Sequence, residues 1–249
     1  MAVASFQSYL PGISVDCVLF GFHEGDLKVL MLKLKNVDLW SVPGGFIYDH
    51  QHADEAAVQV LKERTGLSEI YLQQFHTFTS PDRQDSAHAQ KLVDAGLIDE
   101  ADKKWFDRRF VTVGYFGLVD YNLVGEPQPD EISEACEWKS VHDLPNLMLD
   151  HEKIVLRAFT DLRYGLNYKP IGINLLPEKF TLPELQLLYE TILEKKLDRR
   201  NFRRKILGYD ILIETKEKRL GGSHKAPRLY RFDKEKYHAA IREGFKTAW

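Results

Sequence analysis

The stretch that constrains this chain most runs from Pro43 to Leu67. It opens Pro43-Gly44-Gly45-Phe46 and closes Leu61-Lys62-Glu63-Arg64-Thr65-Gly66-Leu67. Two glycines after a proline permit a tight turn between a strand and a helix. Asp54 and Glu55 near the helix start, with Lys62 and Arg64 in its last turn, complement the helix dipole. Gly66 suits the left-handed residue that follows a helix C-terminus. Ala53, Ala57, Val60 and Leu61 recur at helical spacing and predict a buried face. The stretch therefore makes structural sense as strand, turn and helix with no active site at all.

The same residues resemble the Nudix box, G-x5-E-x7-R-E-U-x-E-E-x-G-U, where U is a bulky aliphatic residue. Gly45, Leu61, Glu63, Gly66 and Leu67 fall on signature positions. Gln51 stands at the first glutamate, Gln59 at the arginine, Val60 at the glutamate after it and Arg64 at the last glutamate. The resemblance implies a fold in which clustered glutamates bind divalent metals that activate water against a diphosphate. Such a cation wants several oxygen ligands in near-octahedral geometry, and two-metal hydrolysis needs carboxylates converging on one face. Here one face offers Glu63 alone, with Arg64 beside it and Val60 one turn back. The expectation is a Nudix-shaped scaffold with no catalytic residues, no metal and no cofactor.

A chain of 249 residues holds one large or two ordinary domains. Its 44% hydrophobic and 29% charged residues are those of a soluble globular protein. No apolar run approaches the ~20 residues that span a bilayer, and Met1 to Pro11 lacks the pattern of a signal peptide. Cys17 and Cys136 lie far apart in apolar surroundings, which favours buried free thiols over a disulfide or zinc site. These features predict a cytoplasmic protein with no membrane partner. Charge is unevenly spread: residues 181–249 carry 17 Lys+Arg against 10 Asp+Glu, and the remainder 17 against 27. A basic end on an acidic body is the pattern of a chain that meets an anionic polymer; chance surface variation is the plainer alternative.

Val15 to Phe22 and Leu27 to Leu34, joined by His23-Glu24-Gly25-Asp26, predict a hairpin. Ile70 to Thr79 predicts a strand. Residues 84–107 form an insertion with helical apolar spacing over Ser86 to Gly96 and Ile98 to Phe106; long insertions of this kind are usually functional or disordered. Arg109 to Val119 predicts a strand buried on both faces. Ile132 to Trp138 follows, and His151 to Leu162 predicts a helix with Asp150 as its cap. Pro170, Gly172 and Pro177 punctuate a connector.

The basic end opens with a complete helix-start signal. Thr181 caps, Glu184 reciprocates three residues later, and Phe180 and Leu185 form the staple. After a break at Lys195-Lys196, Asp198 caps a second helix with Leu197 and Phe202 as its staple. Two capped helices joined by a few residues make a helix-turn-helix, whose second helix enters the major groove N-terminus first. Phe202 and Ile206 face inward, leaving Arg199, Arg200, Asn201, Arg203, Arg204 and Lys205 for a partner. Arginine reads guanine and asparagine reads adenine. Ile211 to Glu214 and Arg228 to Phe232 flank a glycine-rich basic loop, a predicted wing that offers Lys216, Lys218, Ser223, His224 and Lys225 to phosphates. The plainer reading is a solvated charged face, although like charges at i,i+4, such as Arg199 and Arg203, repel by a few tenths of a kcal/mol unless an anion offsets them.

Phe180-Thr181-Leu182-Pro183-Glu184-Leu185 followed by Leu197-Asp198-Arg199-Arg200-Asn201-Phe202-Arg203-Arg204-Lys205 resembles the C-terminal domain of the Nudix-related transcriptional regulators, the NrtR family. That resemblance implies an α+β protein: an N-terminal Nudix-like α/β/α sandwich with a mixed sheet, then a winged helix-turn-helix. Its predicted parts are an effector domain over residues 1–148, a linker helix and connector over 149–179, and a DNA-binding domain over 180–249. It also implies a homodimer on palindromic operator DNA and a small effector, a sugar or sugar nucleotide. Some members respond to ADP-ribose or a related nucleotide. A sugar-responsive branch, AraR, has a degraded box, which implies a repressor of sugar catabolism with L-arabinose as inducer.

A sugar wants a stacking aromatic and planar polar groups. Trp40, Ser41, Arg83, Asp107 and Arg109 are the predicted effector contacts, each with a structural alternative: Trp40 in the core, Arg83 and Arg109 in surface pairs. Two competing functions remain in view. One is a Mg-dependent Nudix pyrophosphohydrolase on ADP-ribose-like nucleoside diphosphates, with Glu55 and Glu63 recruiting Glu131 or Glu134 from outside the box. The other is an RNA-binding or scaffold role.

Overall fold

The computed structural model describes residues 6–67, 70–166, 171–218 and 227–243. Strands β1 (Tyr9–His23) and β2 (Asp26–Leu34) form the predicted hairpin, closed by Glu24 and Gly25 at positive φ of 50° and 79°. Then come β3 (Trp40–Ser41), β4 (Gly44–Tyr48), helix α1 (Ala53–Thr65) and β5 (Tyr71–Phe78). A turn at Pro81–Arg83 leads into the insertion, which supplies helices α2 (Ser86–Asp94) and α3 (Lys103–Phe106). Strands β6 (Val111–Val119) and β7 (Ser133–Ser140) and helix α4 (His151–Gly165) complete the first half. Seven strands form one mixed sheet: β1 runs antiparallel to β2 and β4 and parallel to β6.

Alternation along β1 sorts its side chains between two layers. Val15, Cys17 and Leu19 join Ala56, Ala57, Val60 and Leu61 of α1. Val18 and Phe20 join Ile154, Val155, Ala158 and Phe159 of α4 on the opposite face. The result is a sheet between helices, as predicted. Truncating Leu61, which is 1% exposed, would cost roughly 2–5 kcal/mol.

Helices α5 (Leu182–Leu193) and α6 (Arg199–Gly208), strands β8 (Leu212–Lys218) and β9 (Arg228–Phe232), and helix α7 (Lys234–Glu243) form the second half. Phe180 pairs with Tyr230 as a third short rung beside β9. Its apolar side is continuous with that of α4: Leu185, Leu188, Tyr189 and Phe202 belong to the same buried cluster as Phe159 and Leu162. Thr191 Oγ1 donates to the Gly25 carbonyl at 3.1 Å, and Arg163 of α4 bonds Glu194 just beyond α5.

Four expectations change. Gly44 and Gly45 lie in β4, not in a turn; glycine is needed at 44 because a Cβ there would meet Asp16 Oδ1 at 2.4 Å. The predicted helix over Ile98 to Phe106 shrinks to α3, because one turn anchored by Trp105 and Phe106 has too few contacts to propagate a costly nucleus. Asp150 precedes α4 but makes no side-chain cap bond; its carboxylate goes to Arg83, whose charge makes the stronger partner. Helix α7 has no counterpart in the sequence reading, since a charged segment anchored mainly by Tyr237 carries little periodic signal.

Candidate effector site and nucleic-acid interface

The helix that resembles the Nudix box forms as its capping residues predict, and its exposed polar side chains bond one another. His52 starts α1 with a capping box in which Glu55 Oε2 accepts from the His52 N–H at 3.0 Å, so Glu55 is committed to the helix end. Gly66 ends α1 in the left-handed region. Along the exposed face the polar groups satisfy one another. The Tyr48 N–H donates to Gln51 Oε1 at 3.3 Å, Gln51 Nε2 to Gln59 Oε1 at 3.0 Å, and Gln59 Nε2 to Glu63 Oε1 at 3.0 Å. Arg64 closes the row on Glu63 Oε2 at 3.4 Å. Tyr9 and Tyr48 stack beside it at 4.5 Å, and burial, the Tyr48 bond and the Glu63 charge push the Tyr9 hydroxyl up to about 12. Glu134 is paired with Lys33 at 2.7 Å, and the backbone carbonyl of Glu131 accepts from Lys35. Among the described residues no group of three or more His, Cys, Asp or Glu side chains is placed to hold a metal ion. Two amides, one carboxylate and a guanidinium do not fit a divalent ion, which wants several oxygens and no adjacent cation.

The predicted effector contacts divide. Arg83 is buried at the centre of a polar cluster between the sheet and the head of α4. Its Nε donates to the Phe110 carbonyl at 3.0 Å, Nη1 to Asp150 at 2.5 and 2.6 Å, and Nη2 to Thr112 Oγ1 at 2.6 Å. Asp16 of β1 and His151 of α4 complete it, with the Val42 N–H donating to His151 Nδ1 at 3.2 Å. Ser41, buried, precedes Val42 and so lies beside this cluster in the chain. Trp40 is 8% exposed and packed in the core, with Lys139 Nζ 4.3 Å from its ring centroid, so no open aromatic face is left for stacking. Asp107 is spent on Lys103 at 2.8 Å, and Arg109 is exposed beside Gly12; neither is brought to the cluster. Sequence reasoning missed Asp16, Thr112, Asp150 and His151. The available signal was Asp16, the lone charge in the run Val15 to Phe22.

At the other end, the helix-turn-helix forms as its caps predict. Thr181 and Glu184 make the reciprocal box, and Asp198 accepts from the Asn201 N–H at 2.9 Å. Glu190 clamps the turn, accepting from the Leu197 N–H at 2.9 Å, from Gln186 and from Lys196. Those bonds, the Leu197 one foremost, hold its carboxyl below the ordinary value. Phe202 and Ile206 are buried, which turns Arg199, Arg200, Asn201, Arg203 and Arg204 outward. Arg204 donates to Asn201 Oδ1 at 3.0 Å, whereas Arg199, Arg200 and Arg203 make no ion pair among the described residues. Lys205 is half-buried, and burial lowers its pKa. Lys216 is exposed on β8 and Lys218 ends that strand; Ser223, His224 and Lys225 lie outside the described residues. A shallow groove lined by Arg199, Arg203, Pro227, Arg228 and Tyr230 adds Arg228, which the sequence reading did not single out.

Known proteins match both halves. The family model of the NUDIX domain matches residues 10–159, and that of the NrtR DNA-binding winged helix domain matches residues 172–232. An ADPR responsive transcriptional repressor, NtrR, of Acinetobacter baylyi is 30% identical over 91% of this chain and 84% of its own length. The crystal structure of Shewanella oneidensis NrtR complexed with a 27mer DNA is similar over 95% of this chain and 99% of that one, with a TM-score of 0.74 and 26% identity. An ADP-ribose pyrophosphatase of Methanocaldococcus jannaschii is 29% identical over 60% of this chain and 75% of its own.

Proposed function

We propose a function from one premise: this chain belongs to the NrtR family, in which a Nudix domain is joined to a winged helix. It is a transcriptional repressor that binds double-stranded DNA. Helix α6 lies in the major groove with Arg199, Arg200, Asn201, Arg203 and Arg204 on bases and phosphates. Lys205, Lys216, Lys218, Ser223, His224 and Lys225 serve the backbone. The observation that carries this reading is the outward face of α6, where three arginines repel one another with no ion-pair partner among the described residues. A palindromic site and a homodimer follow from helix-turn-helix geometry.

The first half reads a small effector and does not hydrolyse it. ADP-ribose is the leading candidate, supported by the Acinetobacter repressor of that name, which matches along nearly the whole chain. A free pentose such as L-arabinose, acting on sugar catabolism, is the second reading. It is supported by the missing metal donors, since a diphosphate held without metal must find cations, and on the box face Arg64 is already paired with Glu63. The test selects duplexes from a random-sequence pool with the full chain, then adds ADP-ribose or L-arabinose. Release of the selected duplex by one of them is expected. Equal preference for structured RNA, or Mg²⁺-dependent turnover of ADP-ribose that vanishes in Glu63→Gln, would overturn it.

A further inference from the structure

Asp16 is a charge nine-tenths buried and held only by two long ion pairs among the described residues. Its side chain is 9% exposed, and no described group donates to its carboxylate. The nearest cationic groups stand off, Arg83 Nη2 at 3.8 Å and His151 Nε2 at 4.0 Å from Oδ2. Buried carboxylates are normally hydrogen-bonded, because stripping one of water is expensive. Neither neighbour has moved in, since both are held elsewhere. Arg83 is committed to Phe110, Asp150 and Thr112. His151 is held by the Val42 N–H on Nδ1, which places the ring proton of the neutral imidazole on Nε2, toward Asp16.

The chemistry of a group that would bridge these side chains follows from their types and spacing. It must donate to Asp16 Oδ2 and accept from His151 Nε2–H or Arg83 Nη2–H. An atom about 2.8 Å from each spans separations of this size at ordinary hydrogen-bond lengths. A metal cation is repelled by Arg83, and an anion is repelled by Asp16 and Asp150. One uncharged oxygen that both donates and accepts fits, which is a hydroxyl or a water. Burial also lowers the pKa of His151 and of His88 of α2, which keeps the surroundings uncharged on the imidazole side.

We propose that the gap between Asp16, His151 and Arg83 is the seat of a sugar hydroxyl, and that its occupancy is passed along α4 to the winged helix. This rests on the effector-responsive reading above and gives it a location. The seat is at the head of α4, whose N-terminal residues His151 and Asp150 line it. The far end of the same helix bonds Glu194 through Arg163, beside the helix-turn-helix. The insertion begins at the seat, because Arg83 ends the turn that leads into α2. Neither the box helix nor its polar row takes part.

The test is calorimetric titration of the full chain with D-ribose, L-arabinose and ADP-ribose, beside the variant Asp16→Asn. At least one probe is expected to bind the parent chain saturably and to bind Asp16→Asn at least tenfold more weakly. DNA affinity without effector should stay within twofold, and effector-driven release of DNA should be lost. If Asp16→Asn does not fold, His151→Asn keeps an acceptor for the Val42 N–H and removes the Nε2 donor; the same weakening is expected. No binding by any probe, meaning water alone fills the gap, overturns the proposal. So does unchanged affinity in the variants. A parent chain that binds a sugar but no duplex DNA sinks the regulator reading and leaves the seat standing, so the two fail separately.

Discussion

Helices α1 and α6 are both capped at their N-termini, both bury one apolar stripe, and both show water a row of polar side chains. What differs is where those side chains turn. On α1 they turn to each other: Gln51, Gln59, Glu63 and Arg64 form a closed row, and Glu55 is taken by the helix cap. On α6, Arg199, Arg200 and Arg203 have no ion-pair partner among the described residues, although Glu and Asp are abundant in the chain. A surface whose groups satisfy one another has little left to give a ligand. A surface of unmatched like charges costs free energy until an anion arrives. The contrast supports reading the first helix as scaffold and the second as an interface.

The largest effect should come from the unmatched row. Arg200→Ala with Arg203→Ala should weaken binding of a selected duplex by roughly 30-fold or more, since each lost contact is worth about 1–3 kcal/mol. The thermal midpoint should hardly move. Unchanged affinity in fluorescence anisotropy at physiological salt would break the comparison.

Next comes a repair of the first helix. Gln59→Glu with Arg64→Glu places two more carboxylates beside Glu63, to which Gln59 already bonds. Mg²⁺ should then raise the melting temperature of the variant, by about 2.7 kcal/mol of stability when the ion is at 100 times its dissociation constant. The parent chain should show no such shift. A parent chain stabilised by Mg²⁺ would mean that α1 still holds metal.

Cutting the closed row sharpens the contrast further. Gln59→Ala removes two exposed hydrogen bonds and should cost no more than about 1 kcal/mol in chemical denaturation. DNA affinity should be untouched.

The smallest effect concerns the turn that presents α6. The Glu190 carboxyl is held below the ordinary 4.5, so its contribution is fully present above that value and is lost as the pH falls through the lowered one. Glu190→Gln should flatten the acid side of a plot of melting temperature against pH. An identical acid slope in the variant would show that the clamp on Leu197 adds nothing.

Much of this was legible in the chain. Caps and periodicity are local, so Thr181 with Glu184, Asp198 before α6, Gly66 after α1 and the Val15–Leu34 hairpin could be read residue by residue. The residue types at Gln51, Gln59, Val60 and Arg64 were equally plain, as was the outward cationic face of α6. The candidate effector site was legible only at Arg83 and, by proximity in the chain, Ser41. Trp40 could be read either as a stacking surface or as core, because its residue type says nothing about which neighbours cover it.

The sequence by itself determined two domains, their helix ends and the charge each offers, because those depend on residues a few positions apart. Only the tertiary structure decided that Asp16, Arg83, Thr112, Asp150 and His151 share one buried site. They come from two strands, a turn and the head of a helix, up to 135 positions apart along the chain. No local signal joins them; burial does, because charges taken out of water must find one another or a ligand.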